Sequence, residues 1–331
     1  MRLFVTGAGG FVGGHLVDYF LTLPDPSVHA GVFLPPGQNP VLDSLPVAQH
    51  RIDLRDAAAV RAVLQDIQPD AVVHLAAMAD VSQSFKDPWG TLENNIVCQL
   101  NVLQAVLALG LKARILVVSS AEIYGAAGGT GEPLDEDRPF LPANPYSVSK
   151  VTQDMLALQF FLSHAMPIIR ARPFNHIGPR QSGGFVAADF ASQIAAIEAG
   201  CQEPVMFVGN LAAERDFTDV RDVVRAYYLL LDKGEPGEAY NICSGKAYSI
   251  QYLLDTLLSF STATIEVRPD PARMRPSDVP RRVGDASKLR RRTGWTPSIP
   301  FEQTLLDILN DWRERYNLPP GAGHQAGADT L

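Results

Sequence analysis

The architecture of this chain follows from its opening stretch, Arg2-Leu3-Phe4-Val5-Thr6-Gly7-Ala8-Gly9-Gly10-Phe11-Val12-Gly13. The first five residues predict a short apolar strand, and residues 14–23 predict a helix that Pro24 ends. Glycines between a strand and a helix let the backbone turn tightly and approach a phosphate, while the helix N-terminus offers free N–H groups. The glycine spacing therefore predicts a dinucleotide-binding turn, with an ordinary glycine turn as the alternative.

Short apolar strands continue to alternate with helical segments along the chain. Strands are predicted near residues 28–33, 50–52, 71–77, 115–118, 166–173 and 239–243. This alternation predicts an α/β fold with a Rossmann-type doubly wound parallel sheet, whose ligands bind beyond the carboxyl ends of the strands. Further along, residues 205–210 and 264–268 predict strands, and residues 215–231 predict a helix.

The length of 331 residues, 46% of them hydrophobic, is enough for two subdomains. We assign residues 1–173 plus 212–244 to a dinucleotide-binding domain. Residues 174–211 plus 245–316 are assigned to a smaller, mixed α/β substrate-binding subdomain. Residues 317–331 are expected to form a disordered tail.

The charge and the cysteine content argue against several classes of protein function. A formal net charge of −8 argues against general attraction to nucleic acid or anionic membranes. Three widely spaced cysteines, Cys98, Cys201 and Cys243, form no disulfide framework and no metal-binding pattern, which fits a reducing cytoplasm. No apolar run approaches the ~18 residues that a membrane span needs. We therefore expect a cytoplasmic protein without a metal, a membrane or a nucleic-acid partner.

A second informative stretch supplies candidate catalytic side chains. An apolar run, Ile115-Leu116-Val117-Val118, ends at Ser119-Ser120, and Tyr146 and Lys150 share one face of a later predicted helix. A cation near a phenol favours the phenolate and lowers the phenol's pKa, and a serine hydroxyl beside it can bond the same reacting oxygen. We infer a catalytic group of Ser120, Tyr146 and Lys150, although a lone Tyr-x-x-x-Lys spacing also fits a structural pair.

The cofactor preference is not decided by the turn after the second strand. That turn, Leu34-Pro35-Pro36-Gly37-Gln38, lacks both the acidic residue typical of NAD sites and the basic residue typical of NADP sites. Asp53 is expected either to accept a hydrogen bond from the adenine amino group or to cap the helix predicted at 56–67.

Together these motifs resemble the extended short-chain dehydrogenase/reductase family, over nearly the whole chain up to about Tyr316. The resemblance implies an enzyme acting on nucleotide sugars with NADP(H) or NAD(H), and favours NADP(H). The cofactor-binding residues that the resemblance and the glycine turn imply are Gly7, Gly10, Phe11, Val12, Gly13, Asp53, Leu54, Leu75, Ala76, Ala77, Asn95, Tyr146, Lys150 and Pro173.

One branch of the family fits best. The run Arg172-Pro173-Phe174-Asn175-His176-Ile177-Gly178-Pro179, with further motifs at 184–186, 209–211 and 275–279, resembles the GDP-4-keto-6-deoxy-D-mannose reductases, which form GDP-D-rhamnose. The related GDP-mannose 4,6-dehydratases carry a Glu base where Glu122 stands, so a dehydratase with bound NADP is the alternative. Those dehydratases have Thr at the position of Ser120 and a different glycine turn. The reductase is therefore preferred, with Glu122 retained as a polar group that contacts the sugar.

The same resemblance gives the remaining expectations. Substrate would be bound by Glu122, Asn175, Arg180, Val186, Arg215, Arg275 and Asp278. The arginines match phosphate geometry, and Asp278 would accept from the guanosine ribose. Helices near 91–109 and 147–163 pair across a homodimer in this family. Some proteins with this fold only sense NAD(P), but they typically lose the Tyr or the Lys, and both are present here.

Overall fold

The computed structural model describes residues 1–33, 47–130, 132–273 and 279–320. The strands in chain order are β1 (Arg2–Thr6), β2 (Ser27–Val32), β3 (Ala48–Arg51), β4 (Ala71–His74), β5 (Arg114–Val118), β6 (Ile168–Pro173), β7 (Asn175–Ile177), β8 (Val205–Val208), β9 (Glu214–Asp219), β10 (Ala239–Ile242), β11 (Ala247–Ser249), β12 (Glu266–Pro269) and β13 (Arg281–Arg282). The α-helices are α1 (Phe11–Leu21), α2 (Ala57–Ile67), α3 (Val81–Lys86), α4 (Pro88–Ala108), α5 (Pro145–His164), α6 (Val186–Glu198), α7 (Val220–Lys233), α8 (Ile250–Ser259), α9 (Ser287–Thr293) and α10 (Phe301–Arg315).

Seven strands form one parallel sheet in the order β10-β6-β5-β4-β1-β2-β3. The chain starts at β1, adds strands toward β3, and then crosses to β4 and continues the other way. The predicted Rossmann-type sheet is confirmed. Because the strand order reverses between β1 and β4, a crevice opens there beyond the carboxyl ends of the strands, where ligands bind in such sheets.

Local sequence signals explain the two elements that carry the candidate catalytic residues. In β5 the residues after Arg114 are β-branched or Leu and are buried, as a central parallel strand requires. Helix α5 starts at Pro145, after Asn144, whose side chain accepts a hydrogen bond from the Ser147 amide at 2.7 Å. The Ser147 hydroxyl in turn lies 3.1 Å from the Asn144 amide, so a reciprocal capping box fixes where this helix begins.

A smaller mixed sheet is built around β9. This strand pairs antiparallel with β11 and parallel with both β13 and β7, while β8 and β12 form a separate parallel pair. The sequence-based helix over residues 215–231 is therefore wrong in its first turn, because the segment up to Asp219 is a strand with three partners. Helix α7 begins only at Val220, where Asp219 caps it by accepting from the Arg221 amide at 2.7 Å.

Buried apolar side chains form three clusters. Two clusters lie among the helices and strands of the seven-stranded sheet, and they include Leu116 in one and Val117 in the other. Since adjacent residues of a strand point to opposite faces, these clusters cover the two faces of the sheet. The third cluster joins α6, α8 and α10 to the smaller strands, with Leu253 and Leu305 fully buried.

In the described ranges, no helix is both long and apolar enough to cross a membrane. Several sequence-based expectations fall outside these ranges: the turn after β2, residues 321–331 of the predicted tail, and the candidate substrate residues Arg275 and Asp278.

Histidine burial predicts how stability depends on pH. His74 at the end of β4 is 2% exposed, and burial, followed by the charge of Lys150, lowers its pKa from 6.5 to about 3. The unfolded chain binds the proton more readily, so this contribution to the free energy of unfolding is complete above pH 6.5 and is lost as pH falls toward 3. His74→Gln should reduce the slope between pH 6 and 4 by up to ~1.4 kcal/mol per pH unit, measured by urea unfolding. An unchanged slope would contradict this.

Candidate active site

The glycine turn forms a close approach between β1 and β4. Gly7 adopts φ +70°, and a Cβ there would lie 2.9 Å from the backbone of Ala76. The Gly10 amide donates to the Gly7 carbonyl at 3.0 Å and leads into α1. Gly10 stands at the N-cap without a side chain, so the amides of Phe11 and Val12 in the first turn can face a phosphate.

A cavity of about 480 Å³ opens beside this turn. Its walls come from the glycine turn, the ends of β2 and β3, and the segment after β4. The predicted cofactor residues Gly7, Gly10, Asp53, Leu54, Ala76 and Ala77 line it. This lining suits a dinucleotide, because the glycines of the turn place no side chain between the backbone amides and a phosphate.

Asp53 lies at one end of the cavity, which Arg51 and Arg55 also line. Its carboxylate accepts from the Arg55 side chain at 2.7 Å. The alternative role of Asp53 as a helix cap is wrong, because Asp56 caps α2 by accepting from the amides of Ala58 and Ala59. Arg55 was not predicted from the sequence. Its position two residues after Asp53 could have indicated that the two side chains pair.

Asn95 lies behind the cavity wall. It is fully buried, and its side chain bonds both the amide and the carbonyl of Met78 and donates to the Ser149 hydroxyl at 2.9 Å. Its neighbour Asn94 lines the cavity instead. Asn95 therefore joins the segment after β4 to α5. It was predicted to contact the cofactor, and from this position it would instead hold the segment after β4 that lines the cavity.

The three candidate catalytic side chains meet at the carboxyl end of β5. Tyr146 is buried beside Ser120, whose hydroxyl acts to lower the pKa of the phenol. The Lys150 ammonium donates to the Val118 carbonyl at 2.9 Å and lies 5.9 Å from the centroid of the Tyr146 ring. Lys150 is also anchored through its backbone, since its carbonyl accepts from the Ser119 hydroxyl at 3.1 Å. The structure thus brings Ser120, Tyr146 and Lys150 together.

The electrostatics differ from the expectation in one respect. Burial raises the pKa of the Tyr146 phenol to about 12, although the Ser120 hydrogen bond acts to lower it. Burial also lowers the pKa of Lys150 to about 7. The predicted lowering of the phenol pKa is wrong here, because desolvation outweighs the hydrogen bond. Tyr146 is consequently protonated at neutral pH, the state that a proton donor requires.

Glu122 follows the same strand end and faces the smaller sheet. Its amide donates to the Ser120 hydroxyl at 3.1 Å, and its negative charge acts on Tyr146. Its carboxylate accepts a hydrogen bond from Arg282 on β13. Sequence reasoning missed Arg282, since no spacing relates a residue on β13 to one 160 positions earlier.

The other predicted substrate residues that the structure describes lie on different segments after β6. Asn175 opens β7 and Val186 opens α6, while Arg215 on β9 donates to the Val279 carbonyl at 2.7 Å. Arg215 is in register with Arg282 across β9 and β13. Arg180 instead turns toward α1, where its guanidinium donates to Asp18 at 2.6 Å.

A buried ionic network supports the loop that holds Ser120 and Glu122. Asp154 on α5 accepts from Arg170 at 2.7 Å and from Arg172 at 2.8 Å. Arg172 also donates to the hydroxyl of Tyr124 at 3.1 Å, and Tyr124 donates to Asn241 at 2.7 Å. The loop after β5 is therefore tied to α5, β6 and β10 by hydrogen bonds.

The glycine turn makes a prediction about cofactor binding. At Gly13 a Cβ would lie 2.3 Å from the Gly7 carbonyl oxygen and 2.7 Å from the Cα of Ala8, which is closer than atoms can approach. Gly13→Ala should therefore distort the turn and weaken NADPH binding at least tenfold in a fluorescence titration. Gly14→Ala is the matched control, since its nearest neighbour would lie at 3.7 Å. Equal affinity in the two variants would contradict a role for close packing.

Comparison with known proteins agrees with this geometry. Residues 4–308 match the family model described as GDP-mannose 4,6 dehydratase. A protein of Pseudomonas aeruginosa named GDP-6-deoxy-D-mannose reductase is 40% identical, over 95% of this chain and 98% of its own length. A Vibrio cholerae protein named GDP-mannose 4,6-dehydratase is 27% identical, over 82% of this chain and 80% of its own.

A solved structure gives the same result. The structure of RMD from Pseudomonas aeruginosa complexed with NADPH superimposes with a TM-score of 0.83 at 37% identity, covering 95% of this chain and 99% of that one. The resemblance drawn from the sequence to nucleotide-sugar enzymes of the extended short-chain dehydrogenase/reductase type is confirmed. The chain belongs to the GDP-mannose 4,6-dehydratase family.

Proposed function

We propose that this protein reduces the 4-keto group of GDP-4-dehydro-6-deoxy-D-mannose to GDP-D-rhamnose. The observation that carries the proposal is the meeting of Ser120, Tyr146 and Lys150 at the carboxyl end of β5, where Tyr146 is buried and the Lys150 Nζ lies 5.9 Å from the centroid of its ring. The 40% identity to a protein named as the reductase supports this activity over dehydration, since the dehydratase relative is 27% identical.

The chain's own residues have distinct parts in this reaction. When bound, NAD(P)H supplies the hydride that reaches C4 of the keto sugar. Tyr146 donates its phenolic proton to the C4 oxygen as negative charge develops there, and Ser120 donates a hydrogen bond to the same oxygen. Lys150 is placed to stabilise the phenolate that Tyr146 becomes, because its Nζ lies 5.9 Å from the centroid of the Tyr146 ring on the adjacent turn of α5.

The cofactor is held at the glycine turn and along the cavity, and we propose that NADPH is preferred over NADH. The support is the cavity wall, where Arg51 and Arg55 lie beside Asp53. Guanidinium groups suit the additional phosphate that distinguishes NADPH from NADH.

Asn175 and Arg215 are proposed to hold the sugar nucleotide, because they lie on the paired strands β7 and β9. Arg180 would shape this wall from the segment between β7 and α6, where it pairs with Asp18 of α1, and Val186 opens α6. Arg275 and Asp278 stay predictions. Residues 174–211 plus 245–316 are accordingly proposed as the substrate-binding subdomain.

The activity is tested by following NADPH absorbance at 340 nm with GDP-4-dehydro-6-deoxy-D-mannose. One NADPH should be lost for each GDP-D-rhamnose formed, and UDP- or dTDP-linked keto sugars should react more slowly. Conversion of GDP-mannose to the keto sugar without added reductant would identify a dehydratase instead. Tight NADPH binding with turnover of neither sugar would identify a sensing protein.

We further propose a homodimer, built on the outer faces of α3, α4 and α5. These faces leave large apolar side chains exposed: Phe85 at 59%, Trp89 at 74%, Val148 at 41%, Met155 at 36% and Leu162 at 71%. Large apolar side chains exposed together on packed helices are typical of an interaction surface. Leu162→Glu should lower the mass in light scattering from dimer to monomer, whereas Phe207→Glu on β8 should not.

A cytoplasmic location of the protein stays a prediction.

A further inference from the structure

The most informative group outside the catalytic set is the ion pair between Glu122 and Arg282. Arg282 is 6% exposed in its side chain, and its Nε atom has no hydrogen-bond partner. In the described part of the chain, Glu122 is the one carboxylate that forms an ion pair with it. Burying an unpaired cation costs several kcal/mol of folding free energy. The fold therefore depends on Glu122 to neutralise the charge of Arg282.

The position of Glu122 makes its chemistry important. Its amide donates to the Ser120 hydroxyl at 3.1 Å, so its side chain belongs to the group that would surround the C4 ketone. The C–H bonds beside a ketone are acidic, because the electron pair left behind is delocalised into the carbonyl. A carboxylate at this place is a suitable general base for the C5 proton.

Removing that proton would harm a reductase. The carboxylate would take the C5 proton, the C–H electron pair would form an enolate with the C4 carbonyl, and a proton from solvent could return to either face. The sugar would exchange its C5 hydrogen with solvent, and its configuration at C5 could be inverted before reduction. Reduction itself needs only the hydride and the proton from Tyr146.

We propose that Arg282 is a specificity-determining residue that keeps Glu122 from acting as a base toward C5. The guanidinium engages Oε1 of the carboxylate and holds the side chain toward β13. Backbone pairing fixes Arg282 itself, since β13 is hydrogen-bonded to β9 in register with Arg215. This inference rests on the proposed reduction of a 4-keto sugar. Arg282 is a positioning residue, because it acts through Glu122.

The test measures hydrogen exchange at C5 without reduction. Enzyme, oxidised cofactor and GDP-4-dehydro-6-deoxy-D-mannose are incubated in D₂O, and loss of the C5 proton signal is followed by NMR above the enzyme-free rate. Wild type should exchange slowly. Arg282→Gln should exchange at least tenfold faster, and Glu122→Gln combined with Arg282→Gln should return to the wild-type rate.

The matched control is Arg281→Gln, which changes the neighbouring residue of the same strand. Arg281 pairs at the surface with Glu214 at 3.0 Å, with both side chains more than 40% exposed, so exchange should stay at the wild-type rate. Arg282→Lys provides a second variant, which keeps the charge with a shorter reach and should exchange at an intermediate rate. Circular dichroism establishes that each variant is folded.

Exchange in Arg282→Gln and Arg282→Lys equal to that of wild type would overturn the proposal, as would fast exchange that persists in the double variant. A general structural defect cannot imitate the expected result, because damage slows an enzyme and this change creates a new reaction. Failure of the proposed function is distinguished by a separate assay. In that case the wild-type enzyme would not oxidise NADPH when it is given the same sugar.

Discussion

Tyr146→Phe is expected to lower kcat for ketone reduction by about 10²–10⁴-fold, the usual contribution of a positioned general acid. The substitution removes only the phenolic hydroxyl, while the ring stays buried on α5. NADPH affinity should change little, because the turn at Gly7 and the cavity are untouched. The measurement is initial rates at 340 nm together with a fluorescence titration of NADPH.

Tyr252→Phe is the control for this experiment. Tyr252 is 44% exposed, and its hydroxyl donates to Glu302 on α10, so its loss should leave kcat unchanged. A Tyr146→Phe variant with nearly normal kcat would remove Tyr146 from the role of acid.

Asp154→Asn is expected to destabilise the fold by about 3–5 kcal/mol, as found when one partner of a buried ion pair is removed. The Asp154 side chain is fully buried, and it neutralises Arg170 and Arg172, which are 9% and 3% exposed. The amide would leave two buried guanidinium charges without a counter-charge. Urea unfolding at pH 7 measures the difference.

The control is Asp70→Asn, which breaks an ion pair with Arg2 in which both side chains are about half exposed. Surface pairs of this type contribute ~0–1 kcal/mol. If Asp154→Asn cost no more than Asp70→Asn, the buried network would not be what secures the loop after β5.

The parts of the fold set by local patterns were predictable from sequence. The glycine turn from Gly7 to Gly13 depends on steric limits that glycine meets, and the β-branched apolar run before Ser119 indicates a buried strand. Each of these two signals is contained in a short stretch of the chain. The same holds for α5, which Asn144 and Pro145 start.

Features that depend on tertiary pairing were not predictable. Strand β9 was expected to begin a helix, and only its three partner strands make it extended. The pair of Glu122 with Arg282 joins segments that meet only after the smaller sheet forms. The raised pKa of Tyr146 also depends on burial, which the spacing to Lys150 does not reveal.

The central claim is a net transfer of hydride from the cofactor to C4 of the sugar. It is tested most directly with NADPH that carries deuterium at the transferable position, by locating the label in the product by NMR. The account predicts one deuterium at C4 of GDP-D-rhamnose for each NADPH consumed. Product without deuterium at C4, or sugar converted with no loss of NADPH, would contradict it.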